Sequence, residues 1–270
     1  MKIMGILNVT PDSFADGGKH DTYEKAVARG LEMVAEGVDI IDIGGESTRP
    51  GADRVSAAEE QSRVLPVIKK LSQTGIPISI DTMRAETAAL AIEAGASIVN
   101  DVSGGLADDL MHESVAEMGC PYILMHWRSH SKDMNSLATY GDVVKEVIAE
   151  MQLQIDLALK AGIARNNLII DPGLGFSKEA EHNWEILKRI DEFTDLGYPV
   201  LVGGSRKRFL GGSTPDEREE ATIALTKSLL DKSIWAVRVH SVKPHKDLVV
   251  NHGRSNPNHR NQRLWLPRSL

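Results

Sequence analysis

The stretch IPISIDTMRAETAALAIEAGASIVND, residues 76–101, contains one complete repeat of the pattern that decides the fold. An apolar, β-branched run, Ile76–Ile80, ends at Asp81. An alanine-rich segment, Arg84–Ala94, reads as a short helix, and Gly95 is placed to stop it. A second apolar run, Ser97–Val99, then closes on Asn100. Strand, helix and strand in so short a span imply a right-handed parallel crossover. Both strands end on a polar side chain.

The unit recurs in both directions. Asn8 follows Ile3–Leu7, Asp42 follows Val38–Ile41, His126 follows Tyr122–Met125, and Asp171 follows Leu168–Ile170. Ser205 and Lys207 follow Val200–Val202, while Arg238 and His240 close Trp235–Val239. Apolar spacing predicts further helices over 23–36, 57–71, 106–118, 140–161, 181–194 and 217–231. Ser56 is placed to cap the second, with Glu59 at capping-box spacing. Eight such units predict a single α/β domain, a (β/α)8 TIM barrel, with its active site at the C-terminal ends of the strands. An open doubly wound sheet would bind at one switch point and would not need polar residues at every strand end. Residues 1–250 are read as the barrel and 251–270 as an irregular C-terminal tail. The last covering helix is expected to be short, near Lys246–Asn251. The loops 9–20, 44–55 and 126–139 all follow strands, and as mobile loops of the functional face they are candidate lids.

With 270 residues and 41% hydrophobic content, the chain can build one sizeable core. No apolar stretch approaches membrane-spanning length, and Met1–Gly5 leads directly into a strand, so no membrane association is expected. A single cysteine, Cys120, cannot form an internal disulfide, which fits a cytoplasmic protein. A net charge of −7 argues against a nucleic-acid partner but leaves room for a local cationic site.

The strand ends carry distinct chemistries. Asn8 offers a neutral oxygen that suits Mg²⁺, an ion that keeps waters and phosphate oxygens among its ligands. Asp12 or Asp16 could face a cationic centre, or simply support turns around Pro11. Thr48 and Arg49 place a hydroxyl and a planar guanidinium on a glycine-rich tether, a pairing suited to phosphate. Asp81, Asn100 and Asp171 match a flat heterocycle with an amidine-like edge, since one carboxylate accepts adjacent N–H donors and an amide both donates and accepts. Each has a structural alternative: Asp81 as a helix cap, Asp171 as a turn residue. Lys207, Arg238 and His240 bring positive charge to the seventh and eighth strands, where barrels often bind phosphate. Arg206 and Arg208 are expected to face solvent. There is no GxSxG, HExxH or CxxC motif, and Gly173-Leu174-Gly175 is not a dinucleotide fingerprint.

These stretches resemble the dihydropteroate synthase family. The matching segments are MGILNVTPDSF (4–14), IDIGGESTRPGA (41–52), SIDTMR (79–84), NDVSGG (100–105), LMHWR (124–128), DPGLGF (171–176), GGSRKRFLG (203–211) and VRVH (237–240). The resemblance implies condensation of 6-hydroxymethyl-7,8-dihydropterin pyrophosphate with p-aminobenzoate, giving 7,8-dihydropteroate and pyrophosphate. It implies a pterin held by Asp81, Asn100, Met125, Asp171, Phe176 and Lys207. Pyrophosphate would be held by Asn8, Arg49, Arg238 and His240, with Mg²⁺ on Asn8. Phe14, Thr48, Arg49, Pro50, Ser205 and Lys207 would frame p-aminobenzoate. The path would be dissociative, with Asp16 stabilising the pterin cation and Lys207, Arg238 and His240 assisting. Sulfonamides would compete for the p-aminobenzoate site, and the family forms homodimers. Two features depart from the family pattern: Ser241 stands where an acid usually follows the histidine, and no long final helix is legible. A pterin-dependent methyltransferase and an impaired pterin-binding paralogue are the competing readings.

Overall fold

The computed structural model describes residues 1–10, 19–46, 54–128 and 137–255. Its eight strands are β1 (Lys2–Asn8), β2 (Ile40–Gly44), β3 (Ile78–Asp81), β4 (Ile98–Asp101), β5 (Tyr122–Met125), β6 (Leu168–Asp171), β7 (Leu201–Val202) and β8 (Ala236–Val239). They form one sheet in the order β6-β5-β4-β3-β2-β1-β8-β7, with all pairs parallel. A parallel bridge between Ile170 and Val200 joins β6 to the residue before β7, which brings the two edges together into a barrel. The expected TIM barrel is therefore the observed fold.

The helices are α1 (Lys19–Ala35), α2 (Ala57–Leu71), α3 (Ala85–Glu93), α4 (Met111–Met118), α5 (Val143–Lys160), α6 (Ala180–Lys188), α7 (Asp191–Thr194), α8 (Glu217–Ser228) and α9 (Val242–Ser255). Ser56 caps α2 as the sequence suggests, its hydroxyl accepting from the Glu59 amide at 3.2 Å. Gly95, Gly119 and Gly162 follow α3, α4 and α5 with positive φ, the conformation that ends a helix cheaply only at glycine.

Strand periodicity assigns the side chains. Ile3, Ile41, Ile43, Ile80, Val99, Leu124, Ile170, Val202 and Val237 face outward and pack on helix residues such as Val64, Ile68, Ala88, Met151, Ile155 and Ile186. Met4, Ile40, Ile98, Ile123, Ile169, Leu201 and Ala236 fill the lower interior. Two residues further along five of these strands, the same inward face carries Asp42, Asn100, Met125, Asp171 and Arg238. The apolar plug thus ends where the polar layer begins.

Three helices differ from their sequence reading. The segment expected as 106–118 is helical only from Met111. The turns before it are held by Asp101, which accepts from Ser103 N (2.8 Å), Ser103 Oγ (2.6 Å), Gly105 N (2.7 Å) and Tyr122 Oη (2.8 Å), an alternative to helical bonding. The segment expected as 181–194 is two helices, broken at Arg189, where φ is −106° and ψ 27°. The final helix is longer than Lys246–Asn251, running from Val242 to Ser255. Pro244 is tolerated because it sits in the first turn, and buried Val242 and His245 give the helix an inner face. The tail from Asn256 onward lies outside the described residues.

Close approach of α1 to α2 gives a test of the packing. A Cβ at Gly30 would collide with the Leu71 side chain, which is fully buried. Gly30→Ala should gain up to about 1 kcal/mol of helix propensity yet lose about 1–3 kcal/mol to overpacking. A net fall of about 1–2 kcal/mol is expected, read as a lower urea midpoint at unchanged m. An unchanged or raised midpoint would contradict this packing.

Candidate active site

The polar layer closes around one guanidinium. Arg238 Nε donates to Asp42 Oδ2 at 2.6 Å, and its Nη2 donates to Asp81 Oδ2 at 2.6 Å. Asn100 Nδ2 donates to the same Asp42 oxygen at 3.1 Å. Asp42, Asp81 and Asn100 are all buried. Two strand ends, β2 and β3, are thereby tied to β8 by charge-assisted bonds, and β4 joins them through Asp42. Burial pushes the Asp81 carboxyl up to about 7, against the pull of Arg238, and the nearby Asp42 charge adds to the rise. The Arg238 guanidinium is held above its usual range because Asp42 and Asp81 outweigh its burial.

Asp171 stands at the end of β6 and is 5% exposed. Its Oδ1 accepts from the Gly173 amide at 2.8 Å, so it does serve the turn. Burial raises its pKa, and the Lys207 charge opposes that rise. Burial also depresses Lys207 to about 8, with Asp171 opposing. The Lys207 ammonium donates to the Leu174 carbonyl and lies 4.4 Å from the centre of the Phe176 ring. Met125 clusters with Met83 and Val102, and Phe176 and Trp127 pack against them. An apolar wall therefore stands beside the carboxylates. Asp81 is not the cap of α3: the Ala85 amide bonds Asp108 Oδ2 at 2.8 Å.

The seventh and eighth strand ends meet through Ser205 and His240. Ser205 Oγ accepts from the His240 amide at 3.2 Å and lies 2.9 Å from His240 Nδ1. Assigning the hydroxyl as donor to Nδ1 places the ring proton on Nε2. Arg206 does not face solvent as expected. Its Nε bonds Glu219 Oε2 at 2.6 Å and its Nη2 bonds Ser241 Oγ at 2.9 Å. Arg208 is exposed, as expected. Ser241 thus belongs to the Arg206 network, and the side chain fixing His240 is Ser205.

Asn8 ends β1 beside Gly44 of β2, half-buried, and its side chain has no hydrogen-bond partner among the described residues. No cluster of three or more His, Cys, Asp or Glu among those residues could hold a metal. One amide at this rim still fits Mg²⁺, because that ion takes its remaining ligands from water and phosphate. Phe14, Asp12, Asp16, Thr48, Arg49 and Pro50 lie outside the described residues. The sequence reading missed two features. Asp42 was visible as a strand-end acid but was given no role. Lys178, buried behind the Asp171 turn, carried no motif signal.

A closed parallel barrel that gathers Asp81, Asn100, Asp171, Lys207 and Arg238 at one end defines an α/β-barrel enzyme of the pterin binding class. The family model described as "Pterin binding enzyme" matches residues 4–240, and the chain belongs to that family, on its dihydropteroate synthase branch. A dihydropteroate synthase from Mycobacterium leprae is 48% identical over 259 residues, covering 92% of this chain and 91% of its own. The solved dihydropteroate synthase from Xanthomonas albilineans with 4-aminobenzoic acid superposes with a TM-score of 0.88 at 42% identity, covering 94% and 93% of the two chains. That from Yersinia pestis with a sulfonamide drug superposes with a TM-score of 0.88 at 36% identity, covering 95% and 94%. No described helix is long and apolar enough to cross a membrane.

Proposed function

We propose that the chain joins 6-hydroxymethyl-7,8-dihydropterin pyrophosphate to p-aminobenzoate, releasing pyrophosphate. The observation that carries this reading is the single buried layer in which Asp81, Asn100 and Asp171 stand beside Lys207 and an apolar wall. Asp171 accepts the adjacent N–H donors of the aminopyrimidinone edge, and Asn100 and Asp81 address the remaining ring positions. Lys207 stacks over the ring with Phe176. His240 Nε2 and the remaining Arg238 donors meet the diphosphate, where they stabilise the charge that develops as the C–O bond breaks. The methylene cation formed is delocalised over the dihydropterin, and Asp16 is assigned as the acid that stabilises it. The aniline nitrogen then attacks and releases its proton, with Ser205, Thr48, Arg49, Pro50 and Phe14 framing the benzoate. Asn8 is the residue that would hold magnesium, which when bound would supply further charge neutralisation to the leaving group.

The same reading includes sulfonamide competition with p-aminobenzoate, a cytoplasmic location and a homodimer, the last tested by light scattering of the purified chain. An impaired pterin binder is disfavoured because Ser205, not residue 241, orients His240. The deciding experiment follows pyrophosphate release with and without p-aminobenzoate. Release that depends on p-aminobenzoate is expected, together with a slowing of at least about tenfold under chelator. Pterin binding without such turnover would support the paralogue instead, and indifference to chelator would remove the metal.

A further inference from the structure

Behind the Asp171 turn lies a buried chain of charged groups that the reaction above does not use. Lys178 follows Ser177, a non-glycine residue at φ 47°, and its side chain turns back under the loop. Its Nζ bonds the Gly173 carbonyl at 3.1 Å and the Phe176 carbonyl at 3.0 Å, and it lies 2.8 Å from His126 Nδ1. His126 Nε2 lies 2.9 Å from Glu150 Oε2 on α5. Arg128 holds that carboxylate at both oxygens, from Nε at 3.0 Å and Nη2 at 2.5 Å. Lys178 and His126 are 8% and 0% exposed, so this is interior chemistry.

The pattern of donors is complete only with one proton more than two neutral side chains carry. A lysine ammonium has three donors, and it has three acceptors here: two carbonyls and the His126 Nδ1 lone pair. His126 then carries its proton on Nε2 and donates to Glu150. The turn so gripped holds Asp171, whose Oδ1 takes the Gly173 amide, and the Phe176 ring that faces Lys207. Gly173 and Gly175 both have positive φ, so the turn is a special conformation that needs outside support.

We propose that Lys178 is a positioning residue of the pterin pocket: oriented by His126 and Glu150, its ammonium clamps the Gly173 and Phe176 carbonyls and so fixes Asp171 and the Phe176 ring against the pterin. This role rests on the reading given under Proposed function. The groups facing the ammonium are Asp171 from β6, Lys207 from the loop after β7, His126 and Arg128 from the loop after β5, and Glu150 from α5. Burial lowers the Lys178 pKa to about 7, with Asp171 opposing and Lys207 and Arg128 reinforcing. Burial likewise lowers His126 to about 4, so the shared proton rests on the lysine. Above the lysine's pKa the clamp loses a donor, and pterin affinity falls.

The test titrates 6-hydroxymethylpterin, a pyrophosphate-free probe, into wild type, Lys178→Met and Glu150→Gln across pH, with the KM for p-aminobenzoate measured alongside. Lys178→Met keeps an unbranched apolar stem, one atom shorter, and removes the charge. It should weaken pterin binding by about tenfold or more while leaving the p-aminobenzoate KM within about twofold. The wild-type affinity should fall through about pH 7, and that step should be missing from the variant, where only the Lys207 and carboxylate titrations remain. Glu150→Gln, outside the pocket, should weaken the pterin about threefold and move the step to lower pH, because the acid that favours the protonated pair is gone. Equal pterin affinity in Lys178→Met, or equal losses for both substrates, would overturn the proposal. Should Lys178→Met fail to fold, the absence of a wild-type step together with normal affinity in Glu150→Gln would overturn it as well. A wild type that takes up no pterin at all speaks against the proposed function itself, whereas wild-type binding that Lys178→Met leaves intact speaks only against this role.

Discussion

Asp171→Asn is expected to lower pterin affinity, and kcat/KM for the dihydropterin substrate, by about 10²–10³-fold. The carboxylate offers two oxygens, and the Gly173 amide takes Oδ1 at 2.8 Å. Asparagine keeps one acceptor and turns a donor toward the same ring edge, so at least one buried pterin N–H loses its partner and faces a like group. Hydrogen bonds to a charged acceptor contribute about 1.5–3 kcal/mol each, and an unsatisfied buried donor adds its own desolvation cost. Stability should move the other way. Burial already raises the Asp171 pKa, so removing the charge relieves the native state, and Tm should equal or exceed that of wild type at neutral pH. Tight pterin binding in this variant, measured by titration calorimetry, would remove Asp171 from the site. A collapse of Tm would instead make it a folding residue.

Arg238→Met should have the largest effect on stability. The guanidinium is the shared partner of buried Asp42 and Asp81. Its loss leaves carboxylates in the barrel with no cation within 4.0 Å among the described residues, a situation that costs about 3–5 kcal/mol. The pH dependence has a definite sign. The folded-state pKa of Asp81 is already raised by burial to about 7, and without Arg238 it rises further. A carboxyl whose folded pKa lies above its unfolded value destabilises increasingly as pH climbs from the unfolded value to the folded one. Because the wild-type carboxyl itself ionises only near about pH 7, the variant's extra deficit should open above that pH, and so be larger at about pH 8 than at about pH 4, where the folded carboxyl is protonated in both proteins. Adding Asp81→Asn to Arg238→Met should recover part of the loss at high pH. Urea melts of both variants at the two pH values check this, and a deficit independent of pH would contradict the paired arrangement.

The barrel was legible because strand periodicity is local. Each apolar run of a few residues followed by an acid, amide or base announces a strand end, and Gly95, Gly119 and Gly162 mark the helix stops at single positions. Asp81, Asn100, Asp171 and Lys207 were legible for the same reason. Their partners were not. Arg238 and Asp42 meet across 196 positions, a pairing that strand closure alone creates. Lys178 carries no motif signal, and only the fold reveals that it turns inward. The last helix runs further than its apolar spacing predicts, since Pro244 and His245 interrupt that spacing while Pro244 lies where a helix accepts proline and His245 is bonded to Thr226 Oγ1 at 2.8 Å. The start of α4 was placed too early because Asp101 supplies side-chain bonds that replace the first helical turn.

The central claim is that one layer of strand-end side chains seats a bicyclic pterin. The most direct measurement is a crystal structure of this protein with 6-hydroxymethylpterin bound. The ring should lie between Lys207 and the Met125 wall, with its aminopyrimidinone edge on Asp171 and with Asn100 and Asp81 on the remaining polar positions. A pterin found elsewhere on the chain, or seated with no contact to Asp171 and Asn100, would contradict the account.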